Sequence, residues 1–195
     1  MRRVKTLLPK SFGSNTYFVS DGSEAFVVDP SVSVAEAKAV LGDAFLPPKA
    51  ILITHGHFDH ISALPEWYEA FGSEVYIGRE DAPMLSDSYL NAYKIFFYED
   101  RTYYAPHKTL SEGDELFLLG EKILVSSFPG HSPGSLVFRL SDIAFVGDLI
   151  FEGGGYGRYD LPGGDGSVLS HSLRRAAATL SGLRLYPGHG NPFSI

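Results

Sequence analysis

The sequence predicts a layered sandwich of sheets and helices, of the α/β or α+β kind. Three observations carry this. Short apolar runs alternate with turn residues along the chain. They are ordered as strands, a helix, more strands and a second helix, which favours helices layered on sheets. At 195 residues and 44% hydrophobic content, the chain suffices for one compact domain, 1–195, with a sizeable core.

Element by element, "TYFVS" (16–20) and "AFVVD" (25–29) flank "DGSE" and read as a β-hairpin. "SVAEAKAVLG" (33–42) has helical spacing and a closing glycine. "KAILIT" (49–54) is continuously apolar, as in a strand buried on both faces. "ISALPEWYEAFG" (61–72) predicts a helix ending at Gly72, and "EVYIG" (74–78) another strand. Residues 81–109 are irregular and rich in aromatics. "ELFLL", "KILVSSF", "SLVFRL" and "IAFVGD" predict successive strands; "HSLRRAAATL" (171–180) predicts a helix, and "RLYPGHG" (184–190) a last strand with its turn.

Composition narrows the function. The formal net charge of −7 disfavours nucleic acid and anionic membranes as partners, since both reward a basic surface. The absence of cysteine excludes disulfides, thiolate metal ligands and a cysteine nucleophile. The opening "MRRVKTLLPKSFGS" is too weakly apolar for a signal peptide, and no window approaches ~18 apolar residues, so a cytoplasmic protein without a membrane span is expected.

The chemistry concentrates in "THGHFDH" (54–60), which holds His55, His57, Asp59 and His60, three of the chain's 7 histidines. Side chains alternate along a strand, so His55 and His57 leave the end of "KAILIT" toward one side, and Asp59 and His60 follow as the chain turns toward a helix. That is too many donors for one tetrahedral ion with an open position, and it suggests two ions side by side. Further ligands belong at other strand ends, and the chain offers His131 in "FPGHSPGS", Asp148 in "FVGD" and His189 in "YPGHG". Each adjoins glycine, which permits close backbone approach. Asp29 and Asp160 are candidates to orient ligating histidines; equally, Asp29 caps a strand end and Asp160 pairs with Arg158. His107 and His171 read as surface residues.

With "THGHFDH", "PGHSPGS", "GD" at 147–148, "GRYDLPGGD" at 157–165 and "PGHG" at 187–190, the chain resembles the metallo-β-lactamase superfamily, and within it the glyoxalase II-like hydrolases. The resemblance implies an α+β fold, a four-layer αββα sandwich with metals at one edge of two facing sheets. It assigns His55, His57 and His131 to one divalent ion and Asp59, His60 and His189 to the other, with Asp148 bridging. Two departures stand out: Ser31 follows "DP" where the family often has glycine, and only six residues follow His189. Glyoxalase II continues there into a helical domain that holds glutathione, so a short form lacking that domain is expected.

The implied reaction is hydrolysis of an acyl thioester, such as a hydroxyacylglutathione, by a hydroxide bridging the two ions. Asp59 is the residue expected to orient it. Zinc suits these nitrogen and oxygen donors, as do iron and manganese. The rivals are a persulfide dioxygenase using one iron on His55, His131 and Asp148, and a non-catalytic metal-binding or redox-partner module. In the segment 84–104, Tyr89, Tyr93, Phe96 and Phe97 have the spacing of a packed helix; with Tyr103 and Tyr104 they are also candidates to wall a pocket or pack a dimer. Lys94 and Arg101 are either solvated or placed to meet an anionic substrate tail.

Overall fold

The computed structural model describes residues 2–195, whose strands assemble into two six-stranded sheets. The first runs in chain order: β1 (Arg3–Leu7), β2 (Thr16–Ser20), β3 (Ala25–Val28), β4 (Ala50–Ile53), β5 (Glu74–Gly78) and β6 (Lys108–Leu110). The second holds β7 (Glu115–Leu118), β8 (Glu121–Ser127), β9 (Leu136–Leu140), β10 (Ile143–Gly147), β11 (Arg184–Pro187) and β12 (Phe193–Ser194), in the order β12-β11-β10-β9-β8-β7. The helices are α1 (Val34–Leu41), α2 (Phe58–Ile61), α3 (Leu64–Phe71), α4 (Tyr93–Phe97) and α5 (Gly166–Thr179).

Alternation along the strands sorts the side chains into three cores and therefore four layers. Tyr17, Val19, Phe26, Val28 and Leu52 point from the first sheet toward Val125, Leu136, Phe138 and Phe145 of the second. Their neighbours Phe18, Val27, Ile51 and Ile53 point the other way, onto Ala37 of α1 and Leu64 and Trp67 of α3. On the outer face of the second sheet, Val137, Ala144, Val146 and Leu185 meet Leu169 and Ala176 of α5. The order is thus helices, sheet, sheet, helix, the αββα sandwich implied by the resemblance. Trp67 is wholly buried and its indole N–H donates to the Val32 carbonyl at 2.8 Å, so its polar edge is satisfied.

Parallel pairing places the site. β3, β4 and β5 run parallel, as do β10 and β11, so their carboxyl ends open on one edge. At that edge the Leu136 N–H donates to the Thr54 carbonyl at 2.8 Å, which ties one sheet to the other.

Three helices depart from the sequence reading. The helix expected over 61–72 is α3, which begins only at Leu64 because Pro65 lacks an N–H and is accommodated only in a first turn; the one-turn α2 precedes it, and Gly72 closes it as expected. α5 begins five residues before the expected 171, where the Asp165 side chain accepts from the Ser167 and Val168 N–H groups at 2.8 and 3.0 Å. The packed helix read across Tyr89–Phe97 is only the five-residue α4, since Ala92 takes a left-handed φ of 67° just before it.

Candidate metal centre

All seven side chains singled out from the sequence converge at this edge. His55 follows β4, and His57 stands at the N-cap position of α2, with Asp59 and His60 inside that helix. His131 lies in the loop after β8, Asp148 directly after β10, and His189 two residues after β11. Donor atoms of three sets lie within 4.8 Å of one another: His55, His57 and His131; His55, His60 and Asp148; and Asp59, His60 and His189.

The hydrogen bonds behind the rings decide which nitrogens face inward. His131 Nδ1 lies 2.6 Å from the Arg158 carbonyl, which only accepts, so Nδ1 carries the proton and Nε2 turns a lone pair inward. His60 Nδ1 donates to Asp29 Oδ2 at 2.8 Å, leaving its Nε2 free. The Thr54 hydroxyl donates to the same Asp29 oxygen at 2.7 Å and so is left to accept from His55 Nδ1 at 3.2 Å. His131 Nε2 then faces His57 Nδ1 at 2.9 Å and His55 Nε2 at 3.1 Å.

With their protons held on Nδ1, His131 and His55 turn two bare Nε2 lone pairs toward each other at 3.1 Å, an arrangement with no proton between them. Burial, reinforced by the neighbouring His131, pushes His57 down to about 3, and burial also drives His55 well below the ordinary imidazole value. The buried His57 Nε2 lacks a hydrogen-bond partner, and the buried His60 Nε2 and Asp148 Oδ1 have no partner but each other, 3.2 Å apart. The inward lone pairs of His55 and His131, rings of His55 and His57 held neutral, and closely facing carboxylates suit a bound cation. Five imidazoles and two carboxylates, without sulfur, suit zinc, iron or manganese.

Asp148 joins the two halves. Its Oδ1 is 3.2 Å from His60 Nε2, and its Oδ2 is 3.5 Å from His189 Nε2 and 3.7 Å from His131 Nε2. Asp59 Oδ2 is 3.2 Å from His189 Nε2. Burial opposes charge on His60, but the carboxylates of Asp29, Asp148 and Asp59 together outweigh it and hold its pKa well above the usual value. His189 is raised in the same sense: burial opposes it, and Asp59 and Asp148 prevail.

Several supports were not legible in the sequence. Asp81, fully buried after β5, accepts from the Gly56 N–H at 3.0 Å, the Ser132 hydroxyl at 2.6 Å and the Gly134 N–H at 2.6 Å. It clamps the His55–His57 loop to the His131 loop; its only advance signal is an acid just beyond a strand end. Burial raises its pKa against these hydrogen bonds. Asn15 holds the His189 turn, its amide donating to the Pro187 and Gly190 carbonyls at 3.0 and 2.9 Å. Asp29 backs His60, whereas Asp160 forms an exposed pair with Arg158 at 2.6 and 2.7 Å and does not orient a histidine. His171 is exposed, and His107 is part-buried.

A cavity of about 460 Å³ opens over the cluster, with His57, Asp59, His131, Asp148 and His189 at its base. Phe12, Phe96, Phe151, Tyr156 and Leu161 form its walls. Of the aromatic segment, Phe96 therefore walls the pocket, while Tyr93 and Phe97 pack edge-on against Phe58 at 5.6 and 5.5 Å.

Comparison with known proteins bears on the family and the fold. The family model described as "Metallo-beta-lactamase superfamily" matches residues 10–189. The chain is 35% identical over 181 residues to a probable metallo-hydrolase of Bacillus subtilis, covering 91% of this chain and 85% of that one. It is 30% identical over 179 residues to the hydroxyacylglutathione hydrolase GloC of Haemophilus influenzae, covering 90% and 84%. Among solved structures, the BLEG-1 B3 metallo-beta-lactamase superposes with a TM-score of 0.87 at 30% identity, covering 99% of this chain and 93% of that one. TTHA1623 in a di-iron-bound form gives a TM-score of 0.81 at 34% identity, covering 98% and 94%.

Proposed function

The chain belongs to the metallo-beta-lactamase superfamily, and from that premise we propose that it is a dinuclear metal-dependent hydrolase of an acyl thioester of the hydroxyacylglutathione type. The observation that carries this reading is the convergence of seven nitrogen- and oxygen-bearing side chains beneath a cavity, five of them lining its base. In this proposal His55, His57 and His131 would hold one divalent ion and Asp59, His60 and His189 the second, with Asp148 as a ligand between the two sets. Cations held there would lower the pKa of water toward ~7 and polarise a substrate carbonyl.

The chain's own residues do the remaining work. Asp59 is the more exposed carboxylate at the cavity base, 21% against 11% for Asp148, so it is the one placed to orient the attacking water. Asp148 lies deeper and serves as a ligand. The apolar walls limit competing water around the acyl group. A thiol has a pKa of about 8.5, so it departs as thiolate without a dedicated acid. The GloC relative hydrolyses a thioester of this type by its name, which supports the substrate class.

The test is metal analysis of the purified protein alongside turnover of S-lactoylglutathione, a β-lactam, and a persulfide with oxygen uptake recorded. Two equivalents of divalent metal and thioester hydrolysis are expected. One iron per chain with oxygen uptake refutes the reading in favour of a dioxygenase; β-lactam turnover alone refutes the substrate class.

A further inference from the structure

Three cations border the cavity and the cleft beside it: Lys10, Arg101 and Arg158. Two are already neutralised, Lys10 by Glu36 at 3.1 Å and Arg158 by the paired contact with Asp160. Among the described residues no carboxylate oxygen lies within 4.0 Å of the Arg101 guanidinium. Arg101 is held instead by aromatic faces, 5.6 Å from the Tyr93 ring centre and 5.4 Å from that of Tyr103. Tyr103 is 2% exposed, so this platform is fixed. A guanidinium stacked on rings keeps its edge N–H groups available to grip a carboxylate in a two-pronged fashion.

The cleft around Arg101 has a volume of about 390 Å³ and adjoins the metal-site cavity: Phe12 and Phe58 line both. Phe12, edge-on to Phe97 at 6.2 Å, and Phe58 form the ridge between the two spaces. A substrate with its reacting carbonyl over the histidines thus has room to extend past this ridge, and the one uncommitted cation it meets is Arg101. We propose that Arg101 anchors a carboxylate on the thiol half of the substrate, so that the cleft selects anionic thiol carriers. This rests on the thioester reading given above.

The experiment compares wild type and Arg101→Ala on two thioesters with the same acyl group. One is S-lactoylglutathione, whose carrier bears carboxylates; the other is S-lactoyl-N-acetylcysteamine, whose carrier bears none. The variant is expected to raise KM roughly ten- to a hundredfold for the glutathione thioester, the effect of losing a charge-assisted hydrogen bond, with kcat retained. Its kinetics on the neutral thioester should match wild type, which also reports an intact fold. An equal rise in KM on both thioesters, or none on either, overturns the anchor alone. Wild type inert on both overturns the thioester reading and the anchor together.

Discussion

The Asp29 carboxylate stands 2.8 Å behind His60 Nδ1 and also receives the Thr54 backbone N–H at 2.8 Å and its hydroxyl at 2.7 Å. One buried side chain thereby orients His60 directly and His55 through Thr54. Asp29 sits at a φ of 51°, a left-handed backbone that asparagine tolerates well. Asp29→Asn therefore isolates the side-chain change, because an amide nitrogen replaces one of two acceptors that are all in use. Metal affinity should fall about 10- to 100-fold, as for other groups that position metal-bound histidines. Competition with a chromogenic chelator checks this; affinity equal to wild type would remove Asp29 from the support of the centre.

Asp81→Ala leaves the Gly56 and Gly134 N–H groups without an acceptor, and the Ser132 hydroxyl with only Ser135 Oγ, 2.7 Å away. Each buried group left unsatisfied costs about 1–3 kcal/mol, so the variant should unfold at markedly lower denaturant. Ser132→Ala removes a single donor and should lose far less. Equilibrium urea unfolding of both metal-free variants gives the comparison, and equal losses would contradict a hub centred on Asp81.

The seven donors were readable because each stands just past an apolar strand or within one tight histidine motif, features local in sequence. What escaped notice depends on contacts between distant segments. Asp81 and Ser132 are 51 positions apart, and no local pattern pairs them. β1 escaped as well: its "RVKTL" alternates charged and apolar residues on an edge strand, and its pairing with β2 supplies what the pattern lacks. β6 and β12, of three and two residues, are too short for any periodicity. In 84–104 the helical spacing was genuine, but Ala92's left-handed backbone confines the helix to Tyr93–Phe97.

The two halves of the centre should separate on acidification. A proton on an imidazole competes with a cation for the same lone pair, so a raised pKa weakens metal binding to higher pH. His60 and His189 are raised by the carboxylates around them against the effect of burial, whereas His57 is pushed down to about 3, chiefly by burial. Affinity of the Asp59, His60 and His189 set should therefore fall steadily as pH drops through the neutral range, while the His55, His57 and His131 set still holds its ion. Metal content after dialysis at stepped pH should show one equivalent leaving well before the other. Simultaneous loss of both would contradict the assignment.

Glycine at 188 is required by space, whereas glycine at 190 is required only by backbone. A Cβ on Gly188 would lie 2.2 Å from Asp148 Oδ1 and 2.5 Å from His60 Cε1, inside the contact distance of two proposed ligands. A Cβ on Gly190 would meet nothing within 4 Å, although its φ of 80° strains any other residue. Gly190→Ala should thus cost about 1 kcal/mol of stability and keep its metal. Gly188→Ala must push His60 or Asp148 aside, and since both contribute to the same proposed ion, one equivalent of metal should be lost. Metal stoichiometry and thermal unfolding of the two variants measure the contrast. Full occupancy in Gly188→Ala would mean that Asp148 and His60 do not share a cation, and the allocation of ligands between the two ions would have to be redrawn.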